Sequence, residues 1–255
     1  MAFWRRRPPY ELPDDWEDQV AAHVSRWWDF SVEDRTTLRD LMVRLLTEKR
    51  WEAANGFELT EEIRLVIASQ AALLVLGLDF DHYRKVGSII VHPTTMVLTG
   101  VRAAGPVAGL VTDAPLAILG QADHLTGPVT IAWDEAARNA RHPERGFNVV
   151  FHEFAHKLDM LDDVVDGTPP LDSEEQRQRW VASFTEEFEA ISAGHGSRLL
   201  RDYAGTNAGE FFAVVTEVFF DRGAELKHDR PEIYRSLADF YRQDPASWPP
   251  STGAR

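Results

Sequence analysis

Two histidines four residues apart, with a glutamate directly after the first, form the segment "HEFAH" at residues 152–156. On a helix, residues i and i+4 lie one turn apart on the same face, so the imidazoles of His152 and His156 could bind one metal ion. Glu153 would then lie beside the open position of that ion, where its carboxylate could take a proton from water. The spacing indicates metal-dependent hydrolysis. The competing interpretation is an amphipathic helix with two buried, hydrogen-bonded histidines.

Two imidazoles do not complete a catalytic zinc site, which takes three protein ligands. Asp162 is the near candidate, but "KLDMLDD" keeps helical spacing through position 159, and a continuing helix carries Asp162 away from His156. Glu210 is the far candidate, because it opens a strongly apolar helix where a carboxylate is costly unless it is paired or binds a metal. A capping box with Asn207 explains Glu210 equally well, so both interpretations stay open.

The elements that must position these residues follow from the periodicity. Helical spacing of apolar residues predicts helices at 16–30, 31–54, 59–78, 147–163, 173–194, 206–223 and 231–245. Ser31, Thr60 and Asn148 stand at the N-cap positions of three of these helices. Short segments rich in β-branched residues and bounded by Gly and Pro predict strands at 87–93, 96–99, 110–120 and 127–136.

This pattern predicts one α+β domain over residues 1–245, in which a mostly helical bundle packs with a small mixed sheet on the HExxH helix. Residues 1–80 would form an N-terminal helical part and residues 81–245 the catalytic core. The end of the chain, residues 246–255, reads as a flexible tail.

Composition excludes several classes of function. The net charge of −14 argues against direct nucleic-acid binding and against an anionic membrane surface. Because the chain has no cysteine, any metal must be bound by His, Asp and Glu. The longest apolar run, residues 71–78, is too short to span a bilayer, and no apolar stretch follows the basic N-terminus as in a secretory signal. We therefore expect a cytoplasmic protein.

At these motifs the chain resembles a known family. "HEFAHKLD" together with "YAGTNAGEFFA" resembles the MtfA (Mlc titration factor A) family of zinc peptidases, and "IIVHP" and "GPVTIAWDEA" fit the same family. A more distant similarity is to the catalytic domain of anthrax lethal factor, which pairs an HEFGH helix with a YGRTNEAEFFAEAF segment. Lethal factor has a glutamate where this chain has Val214. Two separated motifs in the same order make the resemblance more specific than HExxH alone.

The resemblance implies a zincin-like metallopeptidase fold and one Zn²⁺ per chain, held by His152, His156 and Glu210. It also implies that Glu153 is the general base and that Tyr203 donates a hydrogen bond to the tetrahedral intermediate. The phenol suits that task, because it is a neutral donor near pH 7.

Three further residues or segments have an open role. Glu217 or Asp159 could accept a hydrogen bond from a ligand histidine, although a surface ion pair explains either acid as well. Residues 129–135, "VTIAWDE", could form an edge strand that pairs with the backbone of a peptide substrate; a purely structural strand is the alternative.

We therefore predict a zinc-dependent peptidase that acts on peptide substrates. The resemblance favours aminopeptidase-type cleavage, while the sequence leaves exopeptidase and endopeptidase action open. The alternative is a non-catalytic regulator with a structural or vestigial zinc site, because the resembled family is associated with sequestering the glucose repressor Mlc. A transcriptional repressor of that kind is the partner that this alternative predicts.

Overall fold

The computed structural model describes residues 8–54, 56–94 and 127–249, together with the backbone of four short strands between residues 96 and 118. In this part of the chain the helices are α1 (Trp16–Ala21), α2 (Val32–Glu48), α3 (Glu61–Leu74), α4 (Trp133–Arg141), α5 (Val149–Asp159), α6 (Glu174–Ser192), α7 (Ala208–Asp221), α8 (Gly223–Asp229) and α9 (Pro231–Tyr241). The strands are β1 (Arg50–Ala53), β2 (Ser88–His92), β3 (Met96–Leu98), β4 (Arg102–Ala103), β5 (Val111–Thr112), β6 (Leu116–Ile118) and β7 (Val129–Ala132). The α+β class is confirmed.

Three helices begin at the caps that the sequence predicts. The Ser31 hydroxyl accepts a hydrogen bond from the amide of Asp34, and the Thr60 hydroxyl accepts one from the amide of Ile63. Asn148 caps α5 in the same way. Each cap satisfies amide groups that the first turn of a helix leaves without an internal partner, so these starts are encoded locally.

The most apolar helices lie at the centre of the molecule. Every residue of α5 is buried, as is every residue of α7 from Phe211 to Phe220. The α5 helix packs against α3, α7 and β7, while α3 also packs against α1 and α2. The buried polar and ionisable residues of α5 require partners in this interior, whereas the apolar residues of α7 require only that the helix be covered. No helix among the described residues is both long and apolar enough to cross a membrane.

A three-stranded sheet lies against the central helices, in the order β1-β2-β7. Its strands are all parallel, with Ile89 of β2 opposite Trp51 of β1 and Val129 of β7. The sheet on α5 is therefore parallel, and the prediction of a mixed sheet was wrong for it. The two antiparallel pairs, β3–β6 and β4–β5, are separate from it. Residue patterns indicate which face of a strand is buried, but strand direction depends on the connections.

Two segments form different structure from that predicted. The helix expected at 31–54 ends at Glu48, and Arg50–Ala53 forms β1 because it pairs with β2. The strand expected at 127–136 ends at Ala132, and α4 begins at Trp133. The first error comes from long-range pairing, which overrides local spacing, and the second from a helix that begins directly where the strand ends.

Other boundaries differ in extent. The first helix, expected at 16–30, ends at Ala21, and the strand expected at 110–120 contains the two short strands β5 and β6. The α8 helix was not predicted.

Trp248, which lies in the segment predicted as a tail, packs on the core. The Trp248 ring lies 5.4 Å from the ring of Phe30 and 6.2 Å from that of Phe220, measured between centroids. The guanidinium of Arg26 also lies over Trp248. Aromatic contacts of this kind hold the segment on the core. Residues 250–255 lie outside the described residues, and the division of the chain into one domain with two parts stays a prediction.

Candidate metal centre

The start of α5 is fixed by hydrogen bonds to all of its first amide groups. The amide of Asn148 donates to Oε2 of Glu217 at 2.8 Å, and the amide of Val149 donates to Oδ1 of Asn139 at 3.1 Å. The next two amides, at residues 150–151, both donate to Oδ1 of Asn148 at 3.1 Å. With no amide left unsatisfied, this buried helix end has a single position, which sets the position of His152 one turn later.

The structure brings His152, His156 and Glu210 together. The Nε2 atoms of the two histidines are 3.2 Å apart, and Oε2 of Glu210 lies 3.1 Å from Nε2 of His152 and 3.6 Å from Nε2 of His156. Tetrahedral zinc with bonds of about 2.0–2.1 Å holds its ligand atoms about 3.3 Å apart. The triangle therefore fits a zinc ion in size. Within the described ranges, these three side chains form a group that could hold a metal.

Neither competing explanation of the third carboxylate accounts for the geometry. Asp162 is exposed in the turn after α5, where its Oδ1 accepts a hydrogen bond from the amide of Val164 at 3.1 Å. Asn207 does cap α7, because its Oδ1 accepts from the amide of Glu210 at 3.0 Å. The Glu210 carboxylate, however, lies against the histidines of α5. The cap uses the backbone of Glu210 and leaves its side chain at the cluster.

Glu217 holds His152 from the side opposite to Glu210. Its Oε1 lies 2.7 Å from Nδ1 of His152, and Arg201 donates to both of its oxygens, at 2.7 and 2.9 Å. Burial alone would raise the pKa of Glu217, but the hydrogen bonds and charges of His152 and Arg201 lower it. An ionised acceptor at Nδ1 orients the ring and directs Nε2 toward the cluster.

Sequence reasoning anticipated Glu217 but missed Arg201. Glu217 lies two turns after Glu210 on the same helix, so helical spacing reveals it. Arg201 lies in the loop before α7, and no motif spacing connects it to the site. A buried acid requires a cation nearby, but that requirement does not identify which arginine supplies it.

Burial and charge shift the pKa values of the cluster in opposite directions. Burial alone would lower the pKa of His152, but hydrogen bonds to Glu210 and Glu217 outweigh it and raise the pKa to about 10. Burial would raise the pKa of Glu210, yet both histidines hold it well below its ordinary value. Burial outweighs the nearby positive charges at Glu153 and raises its pKa to about 8. The pKa of Glu153 therefore lies closer to neutral pH than those of His152 and Glu210.

Tyr203 lies at the edge of the cluster. The centroid of its ring is 6.2 Å from that of His152, and 47% of the residue is exposed. Burial of the remainder and the carboxylate of Glu210 raise the pKa of Tyr203 above its ordinary value. The phenol is therefore neutral at physiological pH and can donate a hydrogen bond toward the cluster.

Asp159 connects the end of α5 to the loop that follows. Its Oδ2 accepts a hydrogen bond from the amide of Gly167 at 3.1 Å. Trp180 donates from Nε1 to the carbonyl oxygen of the same glycine at 3.0 Å. Gly167 has φ of +75°, and a Cβ there would lie 2.3 Å from the carbonyl oxygen of Ala208, the first residue of α7. This close approach fixes the start of α7, two residues before Glu210.

Substitution Gly167→Ala should therefore lower the free energy of unfolding by about 2–5 kcal/mol, combining strain at positive φ with overpacking. It should also weaken metal binding, because α7 must move. Gly194→Ala is the matched control, since Gly194 has φ of +76° but nothing within 4 Å of a Cβ. The control should cost only the strain, about 1–2 kcal/mol. Urea unfolding measures both changes, and equal losses would contradict the packing argument.

Two imidazoles and a carboxylate around one point, with a buried glutamate next to the first imidazole, form the arrangement that metal-dependent peptidases use. The site is therefore of the kind that metallopeptidases contain. The chain belongs to the glucose-regulated metallo-peptidase M90 family, whose model matches residues 1–242.

Relatives along nearly the whole chain support this membership. An uncharacterized protein of Synechocystis sp. is 32% identical over 247 residues, which cover 95% of this chain and 89% of the relative. Proteins named Mlc titration factor A are similar over the same extent. The one from Serratia proteamaculans is 27% identical, covering 95% and 92% of the two chains, and the one from Escherichia fergusonii is 28% identical, covering 95% and 91%. The resemblance to the MtfA family is confirmed.

Proposed function

We propose that this protein is a zinc-dependent peptidase whose ion is held by His152, His156 and Glu210. The observation that carries the proposal is the triangle of two imidazole nitrogens and one carboxylate oxygen, with sides of 3.1–3.6 Å. Two nitrogens and an oxygen are a donor set that suits zinc, and three protein ligands leave a fourth position open. Family membership in a group of metallo-peptidases supports the same assignment.

When bound at these ligands, zinc would supply Lewis acidity that polarises a peptide carbonyl and lowers the pKa of a water molecule. Glu153 takes the proton of the attacking water and returns it to the leaving amine. Its Oε1 is buried and has no hydrogen-bond partner among the described residues, so this oxygen is available for that task. Tyr203 donates a hydrogen bond from its phenol to the oxyanion that develops on the carbonyl.

For the substrate, we propose a peptide that pairs with β7. This strand is at the edge of the three-stranded sheet among the described strands, and it packs on α5, the helix that carries Glu153. An edge strand offers unpaired backbone groups to an extended peptide. The family resemblance supports aminopeptidase-type cleavage. Comparing free and N-acetylated peptides of the same sequence tests this: an aminopeptidase cleaves only the free form, and an endopeptidase cleaves both.

The purified protein should contain about one zinc per chain and hydrolyse peptides. Hydrolysis should stop when a chelator removes the metal and return when zinc is added back. Elemental analysis together with a peptide-library assay measures both properties. A protein that binds no zinc, or that cleaves peptides equally well after complete metal removal, would contradict the proposal.

Zinc affinity should rise with pH, by about tenfold per pH unit near neutrality, because binding displaces a proton. The pKa of His152 in the metal-free protein is about 10, so its ring is protonated at pH 7 and must lose that proton to become a ligand. At lower pH, protons therefore compete more effectively with zinc for the nitrogen of His152, and zinc binding is weaker. Calorimetric titration in buffers of different ionisation enthalpy counts the released protons, and zero released protons would contradict the assignment of His152.

A second candidate function is binding of a transcriptional repressor, which the name of the relatives, Mlc titration factor A, favours. This function would require the cytoplasmic location that the sequence predicts. The variant Glu153→Gln distinguishes catalysis from binding, because it should lose peptide hydrolysis but leave the surface that binds the repressor unchanged. Capture of purified Mlc repressor by this variant would support the second function, and its failure to bind either form of the protein would reject it.

A further inference from the structure

Arg201 contacts two parts of the candidate site that have different tasks in the proposed function. Its guanidinium donates to both oxygens of Glu217, the carboxylate that holds His152. The same guanidinium carbon lies 4.5 Å from the ring centroid of Phe147 and 5.7 Å from that of Tyr203. One side chain thus lies against both the partner of a candidate metal ligand and the candidate oxyanion donor.

We propose that Arg201 is a positioning residue that sets the orientation of His152, through Glu217, and the location of the Tyr203 ring. The inference rests on the proposed function, since it assumes that His152 binds zinc and that Tyr203 faces the substrate. It adds a residue outside both sequence motifs to the machinery of the site.

The carboxylate of Glu217 shows why an arginine is needed. Only 2% of this side chain is exposed, and its two oxygens accept four hydrogen bonds. Two of the four come from Arg201, one to each oxygen, and this fork fixes the plane of the carboxylate. Without it, one hydrogen bond to each oxygen would remain, from the amide of Asn148 and the ring of His152, and the buried carboxylate would lose its cation. A carboxylate held by fewer bonds orients Nδ1 of His152 less firmly.

The guanidinium also lies along the edge of the histidine ring. Its Nη2 is 3.4 Å from Nδ1 of His152, and both nitrogens donate to the same oxygen of Glu217. Two donors do not bond to each other, so this approach reflects their shared acceptor. The arginine therefore restricts the ring sterically as well as through Glu217.

Tyr203 depends on the same side chain. Arg201 directly precedes the short 3₁₀ turn, Asp202–Gly205, that carries this tyrosine. About half of Tyr203 is exposed, and the contacts of its ring are with the ring of His152, at 6.2 Å between centroids, and with the guanidinium of Arg201. A guanidinium over an aromatic face is a directional contact that limits the rotamers of the ring.

The test is zinc affinity, measured by competition with a chromophoric chelator, which needs no enzymatic turnover. Arg201→Ala should weaken zinc binding by about 10–100-fold, the loss typical when the hydrogen-bond partner of a ligand is disturbed. Arg201→Lys keeps the positive charge but cannot form the two parallel hydrogen bonds to Glu217, and it should lose less zinc affinity than Arg201→Ala. Arg230→Ala is the matched control: Arg230 pairs with buried Glu187, and its side chain is 30% exposed against 23% for Arg201. The control should retain wild-type zinc affinity.

Wild-type zinc affinity in Arg201→Ala would overturn the inference while leaving the proposed function intact. An equal loss in Arg230→Ala would also overturn it, because the effect would then be general destabilisation. If the wild-type protein bound no zinc, both the proposed function and the inference would fail. Should Arg201→Ala not fold, Arg201→Gln and Arg201→Lys carry the same comparison.

Turnover at saturating zinc tests the contact with Tyr203. Arg201→Ala should lower kcat even when every site is loaded, and it should lower kcat far less when Tyr203→Phe is already present. If the loss of kcat in the double variant equals the product of the losses in the two single variants, Arg201 does not act through Tyr203.

Discussion

Substitution Glu153→Gln should lower kcat for peptide hydrolysis by about 10²–10⁴-fold, the range that a positioned acid–base group contributes. Glutamine has nearly the same shape as glutamate but cannot accept a proton from water. Zinc content should stay at the wild-type level, because Glu153 does not belong to the triangle of His152, His156 and Glu210. Steady-state kinetics and elemental analysis of the same preparation measure the two properties together.

The stability of the Glu153→Gln variant shows whether it has lost only the catalytic base or also its fold. In the metal-free protein, burial raises the pKa of Glu153 from its ordinary value of 4.5 to about 8. The unfolded chain then loses its proton first, so this group's contribution to stability falls as the pH rises from about 4.5 to about 8. Glutamine stays neutral throughout, and the metal-free variant should be at least as stable as wild type at pH 8.

The control for Glu153→Gln is Glu186→Gln, which changes an exposed glutamate on α6 and should leave kcat unchanged. Undiminished hydrolysis by Glu153→Gln would remove Glu153 as the base. An inactive Glu153→Gln that has also lost its zinc would mean instead that the substitution disturbs the metal centre.

Substitution Glu210→Ala should weaken zinc binding by more than the 10–100-fold that loss of a ligand's hydrogen-bond partner causes, because a ligand itself is removed. The helix start should survive, since the cap of α7 uses the side chain of Asn207 and only the backbone of residue 210. Far-ultraviolet circular dichroism should therefore be unchanged. Competition with a chelator of known affinity gives the change in zinc affinity.

Asp162→Ala is the matched control, because Asp162 is the other acid that sequence spacing offers as third ligand. Its side chain is exposed and accepts from the amide of Val164, so its removal should leave zinc affinity unchanged. A loss in Asp162→Ala with none in Glu210→Ala would mean that the site closes through the near carboxylate and that the triangle does not hold the ion.

Local features of the fold could be read from the sequence because local interactions create them. The side chains of Ser31, Thr60 and Asn148 accept hydrogen bonds from amides two or three residues away. The residue types at these positions therefore predict the caps. The convergence of His152 and His156 follows from helical spacing in the same way. Glu210 required more, since the residues alone left a cap and a ligand equally supported, and the cap uses a different group of the same residue.

Long-range pairing could not be read in this way. The residues Arg50–Ala53 alternate between polar and apolar, but four residues directly after a helix are too short a signal, and they form β1 because β2 lies beside them. Parallel strand order in the main sheet depends on how helices connect the strands, which apolar patterns do not encode. Arg201 reaches Glu217 across 16 residues from a loop, so only coordinates reveal the pair. Contacts between distant segments, such as the pairing of β1 with β2 and of Arg201 with Glu217, therefore could not be predicted from spacing within one helix.

The proposed function depends on one zinc ion bound by two imidazoles from α5 and the carboxylate of Glu210. A crystal of the zinc-loaded protein, with diffraction recorded on both sides of the zinc absorption edge, locates the ion. We expect one anomalous peak about 2.0–2.2 Å from Nε2 of His152, Nε2 of His156 and a carboxylate oxygen of Glu210. A zinc peak elsewhere, or a Glu210 side chain turned away from a peak at the histidines, would contradict it.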